Sequence, residues 1–157
     1  MSTASVVGVA LAGEEREVAL AEVEAVRDVV QAGEYRELLD GLAEALNRGD
    51  ALPDEYLSEL DRLLALALQS GRVRAMYGPS GEQAALRAYR KLPGGAELTA
   101  SAKAVNDALA SLQGQPLESV SLTAVGPGAF TLSLAAGGAE LSVRLDRQGA
   151  RLASVGV

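Results

Sequence analysis

The chain has neither histidine nor cysteine among its 157 residues, and it has no tryptophan. Without cysteine there is no disulfide, no thiolate nucleophile and no iron–sulfur cluster. Without histidine, Ser-His-Asp and Cys-His catalysis and ordinary zinc sites are excluded. Carboxylate, lysine or tyrosine chemistry survives, as does magnesium or calcium binding through oxygen ligands. These absences lean against an enzyme without deciding the question, and we predict no catalytic residue and no cofactor.

Long apolar runs are also missing, since no stretch reaches the ~20 apolar residues of a transmembrane helix. The apolar run over residues 6–12 ends in Ala10-Leu11-Ala12, which has the small-residue pattern of a signal-peptide cleavage site. No basic side chain precedes it, and the run is short for a signal. We therefore interpret it as a core strand and expect a cytoplasmic protein, with export as the alternative.

The composition is that of a folded protein, with 48% hydrophobic and 22% charged residues. The length predicts one α+β domain over residues 1–157. Its helical part covers about 18–113, and an antiparallel β-meander covers about 118–157. With a single phenylalanine, the core must be built from leucine, valine and alanine.

Apolar and hydroxyl-bearing side chains alternate through the last forty residues, the period-two pattern of half-buried strands. Gly137-Gly138 suits a two-residue hairpin loop, in which positive φ must be tolerated. A three-residue loop at 126–128 and a four-residue loop at 146–149 complete a four-stranded meander. The opposed pairs that follow are all apolar: Leu134 with Leu141, Leu132 with Val143, Phe130 with Leu145, Val120 with Leu134, Leu122 with Leu132, Ala124 with Phe130, and Val143 with Leu152.

The agreement of these registers is informative because a slip by one residue turns every side chain to the opposite face. The apolar face must be covered, and only the preceding helices are available to cover it. The opposite face should be solvated. It also offers an alternative packing surface for a second copy or a protein partner. Its predicted members are Ser119, Ser121, Thr123, Thr131, Ser133, Ser142 and Arg144.

Apolar residues at helical spacing predict about five helices before the sheet. Residues 6–20 fit either a hairpin around 13–15 or the start of the first helix, and both alternatives stay open. The remaining predicted elements are a helix over about 21–32, a helix from Tyr35 closed by Gly49, a helix from Pro53 that ends before Gly71, an extended segment over 72–77, a helix from a Ser80–Gln83 capping box to Pro93, and a helix capped by Thr99 that ends before Gly114.

Charge is distributed unevenly along the chain. Residues 1–71 carry fifteen acidic and five basic side chains, a net charge of −10, whereas residues 72–103 carry two acidic and six basic side chains, a net charge of +4. The chain is acidic overall, with a pI of about 4.6, and nucleic-acid affinity depends largely on phosphate neutralisation. We therefore expect intramolecular pairing of the basic segment rather than a nucleic-acid partner.

One candidate ligand site lies at Gly78–Glu82, where a glycine-rich turn precedes a predicted helix. Unpaired amides and the helix dipole favour an anion there. The residues of this candidate phosphate or carboxylate pocket are Arg72, Arg74, Ser80, Gly81 and Glu82. An ordinary capped turn is the competing interpretation, because the lysine of a P-loop is missing and Glu82 would repel an anion.

Carboxylates cluster in two helical segments, at Glu37, Asp40 and Glu44 and at Asp54, Glu55, Glu59 and Asp61. A magnesium-dependent enzyme would need several of Asp40, Glu44, Asp54 and Asp61 to converge. No metal site is predicted, because basic residues follow or precede these acids at a spacing of three or four, which is typical of solvated, salt-bridged helix faces. The predicted ion pairs are Arg36–Asp40, Glu44–Arg48 and Glu59–Arg62.

Three hypotheses for function follow, in order of preference. The first is a non-enzymatic, soluble accessory or interaction protein that engages a protein partner, or a second copy of itself, through its acidic helical surface or the open face of the sheet. The second is a binding module for a small anionic ligand at Gly78–Glu82. The third is a carboxylate- and magnesium-dependent enzyme.

Overall fold

A computed structural model describes residues 8–156. Within that range five helices precede a four-stranded antiparallel sheet, which confirms the predicted α+β arrangement. The helices are α1 (Gly13–Val29), α2 (Glu34–Arg48), α3 (Asp54–Gln69), α4 (Arg72–Arg90) and α5 (Pro93–Ala110). The strands are β1 (Leu117–Gly126), β2 (Ala129–Ala136), β3 (Ala139–Asp146) and β4 (Gly149–Gly156).

The chain divides into two compact units, the first ending at Ala96 and the second beginning at Glu97. The boundary falls within α5. A single domain over residues 1–157 stays a prediction, because compactness alone does not say whether the units unfold together.

The first unit has a core of leucine, valine and alanine from α1 to α4, as the composition requires. Before α1, Val9 pairs antiparallel with Leu52, whose amide donates a hydrogen bond of 2.9 Å to the Val9 carbonyl. Leu11 is buried. Val6 and Val7, which begin the apolar run, lie outside the described residues. The main core cluster contains Leu11, Ala19, Val23, Leu39, Leu42, Ala43, Ala45, Leu46, Leu52, Leu57, Leu60, Leu63, Leu64, Ala88 and Leu92.

The N-terminal hairpin alternative is wrong, because residues 13–20 belong to α1. The buried residues of α1 are Val18, Ala19, Glu22 and Val23, a spacing that places them on one helical face. A strand would turn neighbouring residues to opposite faces. The helix starts earlier than the predicted 21 and ends at Val29 rather than Ala32.

Residues 72–77 are helical rather than extended, because they form the first part of α4. Val73 is fully buried in a second cluster with Val18, Ala67, Ala84 and Ala85. Arginine, alanine and methionine in this segment also favour a helix, so local propensity and packing agree against the extended prediction.

The predicted caps at Ser80 and Thr99 are also wrong. The break in α4 lies at Gly78, whose φ of 72° and ψ of −174° are non-helical, so Pro79 takes the first position after the break and Ser80 lies inside the helix. Similarly, α5 begins at Pro93, which places Thr99 inside it. Proline is favoured in the first helical turn because its missing N–H would have no partner there.

In the second unit the sheet order is β1-β2-β3-β4, and all seven predicted cross-strand pairs are confirmed. Gly137 and Gly138 have φ of 58° and 81°, as the predicted two-residue loop requires. The helix α5 packs on the middle of the apolar face through contacts of Val105 with Leu141 and Val143. The Ser101 hydroxyl donates a hydrogen bond to the Ala150 carbonyl and so ties α5 to β4.

The first turn of α5 requires glycine at residue 95, because this turn packs against the end of α4. A Cβ there would lie 1.9 Å from the Tyr89 carbonyl oxygen and 2.8 Å from the Arg90 Cα, whereas one at Gly126 would meet nothing within 4 Å. We expect Gly95→Ala to lower the free energy of unfolding by about 1–3 kcal/mol, since backbone must move to admit the methyl group. The matched Gly126→Ala should change it by less than about 0.5 kcal/mol. Urea denaturation followed by circular dichroism measures both; equal stabilities would contradict the packing.

Candidate functional site

Basic side chains at the C-terminal end of α4 are paired with acidic ones of the first unit. Lys91 Nζ lies 2.6 Å from Glu15 Oε2, and Arg87 NH2 lies 3.3 Å from Glu14 Oε2, so the end of α4 is bound to the start of α1. This confirms the predicted intramolecular pairing. Both basic side chains are about half exposed, and such pairs contribute roughly 0–1 kcal/mol each.

Glu22 is the one buried charged residue among those described, at 3% exposure. Its Oε2 accepts a hydrogen bond of 3.0 Å from Arg72 Nε, and its Oε1 accepts one of 2.7 Å from the Tyr77 hydroxyl. Both donors lie on α4, so this cluster joins the first half of α4 to α1. Burial, followed by the hydrogen bond to Glu22, raises the pKa of Tyr77 to about 12. The hydrogen bond that Arg72 donates to Glu22 also raises the pKa of Arg72.

The Glu22 cluster includes Arg72, one of the two arginines of the predicted anion pocket. Arg72 is paired with Glu22, and Arg74 NH1 lies 3.9 Å from Glu82 Oε1. Gly81 packs in the helix against Tyr77, where a Cβ would lie 2.2 Å from the tyrosine Cβ. The two guanidiniums thus face carboxylates of the protein itself, and the anion site stays a prediction without structural support.

A second carboxylate cluster joins α2 to α3. The Tyr35 hydroxyl donates to Glu59 Oε1 at 2.5 Å, and Arg62 NH2 lies 2.6 Å from the same oxygen. Burial, followed by the hydrogen bond to Glu59 and the negative charge of that carboxylate, raises the pKa of Tyr35. Burial of Glu59 opposes ionisation, but the hydrogen bonds from Arg62 and Tyr35 outweigh it and lower the pKa of this carboxyl. The i,i+3 pair Glu59–Arg62 is confirmed.

The other acids that were candidates for a metal site make separate contacts. Asp40 lies 3.7 Å from Arg27 Nε rather than pairing with Arg36, which donates to the Val30 carbonyl. Asp61 accepts a hydrogen bond from the Gly94 amide. The predicted pair Glu44–Arg48 forms at 2.9 Å. Across residues 8–156 no three acidic side chains are grouped so as to hold a metal ion.

The sheet has an apolar face that its helix covers only in part. Leu141 and Val143 on β3 are 4% and 2% exposed, and their neighbours on β2 are half-buried. On β1, however, Val120 is 53% exposed and Leu122 is 61% exposed, although they pair with Leu134 and Leu132 on the same face. We call the exposed apolar side chains at this edge the β1 stripe: Leu117, Val120, Leu122 and Phe130.

The width of a helix explains the β1 stripe. A helix with its side chains is about 10–12 Å across, and neighbouring strands lie about 4.8 Å apart. One helix therefore covers about two strands, and α5 contacts chiefly β2 and β3. The prediction that helices cover the apolar face is confirmed for these strands. It fails for β1 and, on β4, for Val155, which pairs with Leu141 and is 65% exposed.

The opposite face is the predicted hydroxyl-rich one. Ser119, Ser121 and Thr123 on β1 are exposed, and the central hydroxyls are half-buried. The Ser133 and Ser142 side-chain oxygens lie 3.5 Å apart across β2 and β3. Arg144 and Arg151 both contact Asp146, the latter at 2.6 Å, so the far edge of this face carries a charged cluster.

Sequence reasoning did not anticipate the β1 stripe. Alternation identifies which side chains share a face, but it does not say how many strands a covering helix reaches. Two features could have indicated it. A single helix directly precedes the sheet, and the first strand of a meander lies at an edge.

Comparison with protein-family models, curated proteins and solved structures finds no match to this chain. None of the helices within residues 8–156 combines the length and apolar character needed to cross a membrane.

We predict that Glu22 holds α1 and α4 together. Its carboxylate accepts a hydrogen bond at each oxygen and pairs with the charge of Arg72. Glutamine is neutral and has only one accepting oxygen, so both charge-assisted hydrogen bonds are weakened or lost. Glu22→Gln should lower the free energy of unfolding by about 1–3 kcal/mol. The control Glu17→Gln makes the same change at an exposed position of α1 and should cost less than about 0.5 kcal/mol. Equal effects in urea denaturation would refute this role.

The Tyr77 pKa gives a second prediction. Because it is raised from 10 to about 12, folding favours the neutral phenol. The resulting stability is fully present below pH 10 and is lost as the pH rises through about 12. Ultraviolet titration of tyrosinate, with Tyr77→Phe subtracted from the unaltered protein, should show a component near pH 12. In Glu22→Gln this component should move toward 10; a component already at 10 in the unaltered protein would disprove the contact.

Proposed function

We propose that this protein is a non-enzymatic interaction protein of the cytoplasm that engages a protein partner through its sheet. The observation that carries the proposal is the β1 stripe, an apolar surface that α5 leaves open. Exposed large apolar side chains that adjoin one another mark interaction sites more often than scattered single ones do.

The location of the stripe at a sheet edge supports the same function. An edge strand presents unpaired N–H and C=O groups along one side, and a partner strand can satisfy them while its side chains contact the stripe. Main-chain hydrogen bonds then contribute affinity, and apolar contacts contribute specificity. The strand β1 has both features, an edge position and exposed apolar side chains.

The charge pattern favours the sheet over the acidic helical surface as the contact region. Part of the acidic surface of α1 is already paired with Arg87 and Lys91. The sheet, by contrast, presents apolar side chains with one charged residue, Glu118, in the whole of β1. An anion-binding module and a magnesium enzyme have no comparable observation in their favour.

The proposal is tested by affinity isolation from an extract of the source cells, with mass spectrometry of the recovered proteins. Leu122→Lys places a charge in the stripe. Leu66→Lys is the matched control, because Leu66 in α3 is 59% exposed against 61% for Leu122. We expect proteins recovered with the unaltered chain to be lost from Leu122→Lys by at least about tenfold, a cost of about 1.4 kcal/mol.

The same proteins should be retained by Leu66→Lys. Recovery that is unaffected by Leu122→Lys, or equally reduced by both variants, would overturn the sheet as the interaction surface. Circular dichroism of each variant checks that the change leaves the fold intact, as expected at an exposed position.

A further inference from the structure

We propose that β1 pairs with β1 of a second copy of this chain, antiparallel and with Ser121 on the twofold axis. The resulting eight-stranded sheet would be the interaction through which the protein works. This inference rests on the proposed function and names the partner that the β1 edge fits best.

The strand β1 is self-complementary. With Ser121 opposite its own copy, Val120 lies opposite Leu122, and Ser119 lies opposite Thr123. Apolar side chains then meet apolar ones on one face, and hydroxyls meet hydroxyls on the other. An isologous interface has this property, since each residue and its partner exchange roles across the axis.

The low net charge of the second unit also permits two copies to pair. The only charged residue of β1, Glu118, falls opposite Ala124 in this register, so no like charges are opposed. The second unit, residues 97–157, carries five acidic and four basic side chains, a net charge of −1. The acidity of the chain lies mainly before it. Two copies can therefore approach through the sheet without strong repulsion.

The two edge strands of the sheet, β1 and β4, differ in how they are protected from pairing. Proteins block edge strands with charges, proline and bulges. On β4, Arg151 is exposed and bound to Asp146, and the pairing with β3 shifts near Ser142. On β1, the irregularities lie at the ends, near Glu118 and Val125, and the stretch between them pairs regularly with β2. Val155 on β4 is also exposed, but a charge and a bulge lie within that strand, whereas residues 119–123 of β1 have neither. This difference favours a closed dimer through β1 over a polymer.

The regular stretch of β1 also sets the register. Placing Leu122 on the axis would oppose Ser119 to Val125, a hydroxyl to an apolar residue at the irregular end of the strand. Pairing offset by an odd number of residues would set apolar against hydroxyl side chains throughout. The axis at Ser121 keeps the five residues 119–123 matched.

The absence of cysteine from the chain provides a direct test. Ser121→Cys would place a single thiol opposite its own copy, where Cβ atoms of paired residues lie about 4.5–5.5 Å apart, close enough to be joined after small adjustment. In Ser119→Cys the two thiols would be offset by four residues, about 13 Å along the strand, and cannot be joined. Under mild oxidation, we expect Ser121→Cys to form a covalent dimer and Ser119→Cys to stay largely uncrosslinked.

Sedimentation equilibrium of the unaltered 157-residue chain should show a dimer. Leu122→Lys should raise the dissociation constant by at least tenfold, and Leu152→Lys, the same change on β4, should leave it within about twofold. A monomer at all concentrations would overturn the proposal, as would a dimer crosslinked equally by both cysteines or one insensitive to Leu122→Lys.

The outcomes also separate this inference from the proposed function. If the chain is monomeric but Leu122→Lys still abolishes recovery of another protein from extract, the interaction surface stands and the second copy is wrong as its partner. If the chain dimerises through β1 and that surface recovers no other protein, self-association is the interaction. Failure of both experiments would remove the function itself.

Discussion

Leu132 and Leu134 on β2 lie beside Val143 and Leu141 on β3, and the same four side chains pack beneath α5. The rest of the second unit depends on this contact. It fixes the register of the central hairpin, which in turn fixes the strands on either side, because each pairs residue by residue with a strand already placed. It also determines where the sheet is covered, because a single helix packed on these two strands is too narrow to cover β1 as well.

The first unit depends on a different balance. Its core is aliphatic, and the cluster of Glu22, Arg72 and Tyr77 is embedded at the contact of α1 with α4. A buried carboxylate is costly unless each oxygen has a donor. Both donors come from α4, so the cluster is satisfied only when that helix forms and docks. This requirement adds tertiary packing to the local helical preference of residues 72–77.

Much of the fold could be predicted from residue spacing. The register of the sheet and the bounds of α2 and α3 follow from patterns that involve only neighbouring residues, together with Gly49 and Pro53 at helix ends. The errors have two causes. Residues 13–20 fitted two local patterns, and the burial of Val18 and Ala19 against other helices decides for α1. Ser80 and Thr99 were taken as caps, whereas Pro79 and Pro93 mark the first turn of each helix. Glu22, a charged residue in an acidic helix, gave no local sign that it would be buried.

By itself the sequence determined the order of elements, the faces of the strands and the exclusion of histidine and cysteine chemistry, because each of these depends on residue type and on spacings of a few positions. Only the tertiary structure decided which apolar side chains are covered. Val120 and Leu122 have the same alternating pattern as Leu132 and Leu134, yet they are exposed. Burial depends on the reach of the packing helix, a property of three-dimensional size that alternation along one strand does not encode.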